Sequence, residues 1–186
     1  MPAKRPPVPL TRERIIEAAL HIADSQGLRR LTMRRLGDAL QVEAMAIYHH
    51  LPRGKEALMD ALAEHVTAVH AEQAATWQDT AKAWARTSRE LLREHPGVLA
   101  LALTKPPKGG TAIAIGEQIE QLSDGGLAGA TEAVRALRAF VFGSVAVEVQ
   151  QSGWADPEVD EWTRRDARAD ADFERGLEAL LKGLQT

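Results

Sequence analysis

The chain has 186 residues, no cysteine and a net charge of −3 with histidine neutral. The absence of cysteine excludes disulfides, thiol nucleophiles and thiolate metal sites. No apolar run approaches the ~20 residues of a membrane span and the N-terminus lacks a signal-peptide stretch, so a soluble cytoplasmic protein is expected.

The charge is uneven. Residues 1–55 hold ten Lys or Arg against five Asp or Glu, whereas residues 56–186 hold thirteen against twenty-one. A basic head on an acidic body is the pattern of a nucleic-acid module joined to something else. In chain order, residues 1–9 include the basic, Pro-rich run Lys4 to Pro9 and read as a flexible arm. A first helix is predicted over Arg12 to Gln26. Thr11 is its N-cap, Leu10 and Ile15 form a staple across its start, and Ile15, Ala18, Ala19 and Ile22 make its apolar stripe. Gly27 stops it. Thr32 caps a second helix, with Leu31 and Leu36 as the staple pair and Leu36 and Leu40 four apart on its inner side. Gln41 and Val42 make a turn without the usual glycine. Glu43 is placed to cap a third helix over Ala44 to His50, which Pro52 ends.

After Gly54 the pattern predicts one long helix from Lys55 to Thr76, with Leu58, Leu62, His65, Val66 and Val69 along one side. Breaks follow at His95-Pro96-Gly97, Lys105 to Gly110, Gly125-Gly126 and Ser152 to Pro157. A long apolar helix spans Thr131 to Gln151, and a last one Asp166 to Gly183 carries Phe173, Leu177, Leu180 and Leu181. No alternating β pattern survives. The fold class is all-α: a three-helix head over residues 10–54 and a larger helical bundle over residues 55–186.

Two short helices about a tight turn, Met33 to Leu40 and Ala44 to His50, form a helix-turn-helix, which seats its second helix in the DNA major groove. Ile47 and Leu51, four apart, form its packed face, leaving Ala44, Met45, Ala46, Tyr48, His49 and His50 for DNA. The order of signals is an Ala-rich first helix, Gly27, Leu31-Thr32-x-Arg34, an aliphatic turn, Tyr48-x-His50, then Lys55 opening a helix. In that order, from Leu10 to Leu62, the chain resembles the DNA-binding domain of the TetR family of bacterial transcriptional regulators. The resemblance implies that Tyr48 and His50 touch phosphate, that Lys55 does so at the start of the fourth helix, and that Arg34 reads a base. Arginine can grip guanine bidentately, and Thr32 and Arg35 lie beside it on the same helix turn. Adjacent His49 and His50 point apart on a helix and do not chelate together, so no metal is expected, nor any cofactor.

The body resembles the tetracycline-repressor branch more loosely, through Glu94-His95-Pro96, Ala139 to Gly143 and the Phe173 to Leu177 helix. That resemblance implies a palindromic operator on double-stranded DNA, a homodimer and a small-molecule effector. The helix from Ala139 to Val147 is apolar nearly all round and needs cover on more than one side. Either it packs a two-fold mate, with Phe140, Gly143, Ser144, Val147, Phe173, Leu177 and Leu181 at the interface, or it is the central helix of a monomer. By analogy an effector cavity would be lined by Trp84, Leu99, Leu103, Ile113 and Phe140. No cluster of charged residues marks a carboxylate or phosphate ligand, so an apolar or amphipathic effector is expected. The leading reading is a ligand-responsive homodimeric repressor. Its alternatives are a DNA binder controlled by a protein partner instead, and a small helical enzyme or carrier, against which the missing catalytic motifs argue.

Overall fold

Three threonines open helices, each by the same device. In the computed structural model, which describes residues 9–152 and 162–185, Thr11, Thr32 and Thr76 sit in extended backbone. Their hydroxyls accept from the amides of Arg14 (3.3 Å), Arg35 (3.2 Å) and Asp79 (3.1 Å). Each cap satisfies a donor the first helical turn leaves unpaired and contributes about 1 kcal/mol. The described residues form α1 (Arg12–Gln26), α2 (Met33–Leu40), α3 (Ala44–His50), α4 (Lys55–Thr67), α5 (Trp77–Glu94), α6 (Leu99–Thr104), α7 (Gly110–Asp124), α8 (Ala130–Ser152) and α9 (Trp162–Gly183). They contain no strand, and no helix among them is long and apolar enough to cross a membrane. The predicted arm over residues 1–9 and the break near Pro157 fall almost wholly outside the described residues.

In the head, α1 packs on α2 and α4, and α2 on α3. Ile15, Ala19, Ile22, Leu31, Leu36, Ile47, Leu51, Leu58 and Leu62 are buried together. Each of the larger side chains stabilises the fold by roughly 1.5–3 kcal/mol. Ala18, expected on the same stripe, is only half-buried. The α2–α3 turn has Gln41 in the left-handed region, φ 57°. Its glycine sits instead within α2: a Cβ on Gly37 would come 2.8 Å from the Val42 carbonyl and 3.3 Å from the Ala44 amide. α3 therefore lies close against the backbone of α2. Glu43 occupies the N-cap position of α3, but its side chain makes no capping bond, contrary to expectation.

The fourth helix is shorter than its apolar spacing predicts. It ends at Thr67, not Thr76. The Thr67 hydroxyl bonds to the Ala63 carbonyl and to the Thr111 hydroxyl, both at 2.7 Å. Thr76 must be extended to cap α5, so no single helix can run through it. Val69 is still buried, but on irregular chain.

The body is built on α5 against α8, with α7 on both and α9 on α8. Arg86 grips Glu174 bidentately (2.8 and 2.8 Å), tying α9 to α5. Arg89 lies deeper, its side chain 9% exposed, and is held by Glu148 (3.0 Å) and Asp170 (2.7 Å) while its guanidinium stacks 4.6 Å over the Phe173 ring. Head and body share one continuous cluster of buried residues, from Ile15 to Leu181. Their joint is His95-Pro96-Gly97. Asp24 of α1 accepts from the Gly97 amide and bonds His95 Nδ1, both at 2.9 Å. A Cβ on Gly97 would come 2.3 Å from the Ala23 carbonyl, so only glycine lets α1 approach.

Candidate nucleic-acid interface and the cleft behind it

The outer face of α3 follows from its inner one. Ile47 and Leu51 are buried, so positions two residues away must face out. Met45 projects furthest, 69% exposed, with His49 beside it and Tyr48 on the flank. Ala44 and Ala46 are half-buried, and Ala44 abuts Gly37. Ala44 precedes Ile47 by three and shares its face, so of the two alanines Ala46 stands nearer the outer side. His50 is exposed at the end of the helix, where the DNA face meets the rim of a cleft described below.

Tyr48 has a defined seat. Gly54 has φ 56°, and a Cβ there would come 2.6 Å from the tyrosine ring and 3.3 Å from its hydroxyl. The phenol thus lies across the start of α4. That helix has no side-chain cap, so its first amides are free of capping bonds, and Lys55 is its first residue. Uncapped amides, a positive helix end, a phenol and an ammonium on one surface are the components of a phosphate site. Thr32 spends an acceptor lone pair on its cap and keeps its O–H to donate. Arg34 and Arg35 follow it, exposed and, like Arg29, Arg30 and Lys55, without an ion pair among the described residues.

Behind this face, between α4, α6 and α8, lies a cleft of about 690 Å³. Its apolar walls include Ala61, Leu101, Leu103 and Phe142. Its charged lining is Arg12, Arg53, Lys105, Lys108 and Arg138 against Asp60 and Glu64, with His50 at the head end. Asp60 takes bonds from Lys105 (2.6 Å) and Arg53 (3.2 Å). The lysine bond first, then the nearby cationic charge, holds its carboxyl below the ordinary range despite partial burial. Glu64 accepts from the Gly110 amide at the start of α7 and pairs with Arg12 at 3.7 Å.

Of the five side chains expected around an effector, the cleft brings in Leu103 alone. Trp84 and Leu99 are buried in the core, Ile113 is 60% exposed on α7, and Phe140 stacks on Phe173 with ring centroids 5.3 Å apart. Sequence reasoning missed Arg138, Lys105 and Asp60, which are far apart in the chain. It also missed the buried polar atoms of the bundle: among the described residues, Ser88 Oγ and both amide atoms of Gln118 have no hydrogen-bond partner.

The expected interface residues divide. Phe173, Leu177 and Leu181 are buried inside one chain, where they fix α9 to its own body, and so do not face a mate. Phe140 is half-buried, and Ser144 turns its hydroxyl onto the Phe140 carbonyl (2.8 Å). The outward stripe of α8 is Ala139, Gly143 and Val147, the last 51% exposed.

A family model described as bacterial regulatory proteins, tetR family, matches residues 15–62. The chain is 33% identical over 145 residues to an HTH-type transcriptional regulator of Saccharopolyspora erythraea, an alignment covering 75% of this chain and 61% of that protein, less than two thirds of its length. It is 32% identical to the class C tetracycline repressor protein of Escherichia coli, with 95% of this chain on 91% of that one. Among solved structures, a TetR variant of Acinetobacter baumannii AYE in complex with minocycline matches with a TM-score of 0.73 at 30% identity, covering 95% of this chain and 97% of that one.

Proposed function

The chain belongs to the TetR family of bacterial regulatory proteins, and from that premise we propose that it is a homodimeric repressor released from its operator by a small molecule. It is a DNA-binding transcriptional regulator and not an enzyme. The observation that carries the DNA-reading assignment is the convergence of Tyr48, Lys55 and the uncapped start of α4 beside the exposed Met45 and His49. α3 enters the major groove, and Met45 meets base edges by apolar contact, suited to thymine methyls. Arg34 reads a neighbouring base, while Thr32, Tyr48, His50 and Lys55 fix register on phosphate.

Dimerisation proceeds through the exposed apolar stripe Ala139, Gly143 and Val147 of α8, joined by the outer side of α9. Two heads related by a two-fold axis call for a palindromic operator with half-sites ~34–36 Å apart or a multiple of it. The effector enters the body. The cleft of about 690 Å³ between α4, α6 and α8 supports a bound small molecule there. Binding biases α4, a rod of 13 residues and ~20 Å that begins at the DNA and ends against α7. A second reading, control by a protein partner in place of a ligand, has no comparable observation behind it.

The test is fluorescence anisotropy of the full chain on DNA flanking its own gene. Wild type binds a palindromic segment; Lys55→Ala weakens binding to every sequence and lowers the salt slope by roughly one. An unchanged slope and affinity would remove Lys55 from the phosphate face.

A further inference from the structure

We propose that the cleft between α4, α6 and α8 binds a small organic anion, an acid with a flat apolar body, whose charged group pairs with Arg138. That such a ligand acts as the effector rests on the reading above; the binding itself does not.

Arg138 carries the inference. It lines the cleft from α8, half-buried, and makes neither ion pair nor hydrogen bond among the described residues. Its guanidinium lies 4.9 Å over the Phe142 ring and 6.0 Å from the Trp84 ring centroid. Stacking occupies a face of the group and leaves its N–H donors unspent. Burial acts on it alone and lowers its pKa, with no carboxylate to offset the loss of water. A charge withdrawn from water without a partner is costly, and a bidentate anion removes that cost with good geometry.

The rest of the lining decides what kind of anion. Both carboxylates are already engaged, Asp60 by Lys105 and Arg53, Glu64 by Arg12 and the Gly110 amide. The start of α7 is thereby filled by the protein's own carboxylate and is closed to a phosphate. Among the described residues, Arg138 and Lys108 remain as cations of the lining without an ion pair. Ala61, Leu101 and Phe142 supply apolar wall, and about 690 Å³ suits a drug-sized molecule. One carboxylate or sulfonate on an aromatic frame matches this division better than a polyphosphate. The cleft also reaches His50 and Arg53 at the end of α3, so its occupant would touch the DNA head directly.

The probe is 8-anilino-1-naphthalenesulfonate, titrated into the full chain beside N-phenyl-1-naphthylamine, which lacks the sulfonate. The sulfonate should bind saturably at one site per chain. Arg138→Met should weaken it at least tenfold while the neutral amine stays within twofold, and Arg138→Lys should fall between. Sulfonate affinity unchanged in Arg138→Met overturns the site, as does an equal loss of both probes, which would mean the cavity had changed shape. Wild type alone gives a second test should the variants not fold: 1-naphthoate should displace the sulfonate, and 1-naphthamide should fail to do so at tenfold higher concentration. Equal displacement by both overturns the proposal. The same sulfonate titration is then run against the protein on labelled DNA. Binding through Arg138 with unchanged DNA affinity leaves the anion site standing and sinks the effector reading alone.

Discussion

Arg89 and Arg138 both project into the body, and the chain answers them differently. At the seam of α5, α8 and α9, Arg89 meets Glu148 and Asp170 with its face on Phe173. Across α8, Arg138 meets, among the described residues, aromatic faces and open cleft but no carboxylate. The first arrangement is a finished clamp, because every partner lies within the chain. The second is an unfinished one. A fold able to neutralise one buried guanidinium and leaving another bare points to a partner from outside.

The largest effect should come from breaking the finished clamp. Glu148→Ala leaves Arg89 poorly compensated and should cost about 3 kcal/mol, read from urea unfolding. Arg138→Met in the same assay should leave stability unchanged or raise it, since it removes an unpaired charge. A comparable loss in both variants would erase the contrast between the two regions.

Next in size is the joint between head and body. Gly97→Ala drives a methyl into the Ala23 carbonyl and should cost about 1–3 kcal/mol. Operator affinity should fall with it, because α1 loses its seat on the body. Normal stability in this variant would mean that the close approach is easily relieved.

The head was legible in the sequence because its rules are local. Thr11 and Thr32 announce helix starts within three residues of the amides they cap, and Ile47 and Leu51 declare the inner face of α3. Even there, the turn at Gln41 and Val42 lacks a glycine, and the packing that requires one falls on Gly37 within α2. The length of α4 was overread because apolar spacing continues to Val69 after the helical hydrogen bonds stop. The Thr67 and Thr111 hydroxyls that mark its end meet across 44 residues. The cleft was not legible at all. Arg12, Asp60, Lys105 and Arg138 are scattered along the chain, and no local charge run betrays them. Likewise Phe173, Leu177 and Leu181 have the spacing of an interface stripe, yet the fold uses them inside one chain. A hydrophobic period states that a face is covered without naming what covers it.

Smaller effects sharpen the picture. Arg34→Ala should cost ~1–3 kcal/mol of specific binding and relax preference at a single base pair, as measured on an operator mutation series. Uniform weakening on all sequences would reassign Arg34 to phosphate. Smallest is the pH response of Asp60. Its carboxyl is held below the ordinary range, so its contribution is present at neutral pH, above the unfolded value of ~3.9, and is lost as acid protonates it in the fold. Asp60→Asn should therefore flatten the acid limb of the stability curve below about pH 4 and leave its shape at neutral pH unchanged.

The most direct test joins the cleft to the DNA heads. The chain has no cysteine, so Gln26→Cys at the exposed end of α1 gives a single spin label on each head of a dimer. The separation of the two labels is measured by pulsed electron resonance with operator DNA and with saturating 8-anilino-1-naphthalenesulfonate. A narrow distribution on DNA, shifted or broadened by a few ångströms when the anion binds and DNA leaves, is the predicted result. Loss of DNA with an unchanged distribution would contradict control of the heads from the cleft.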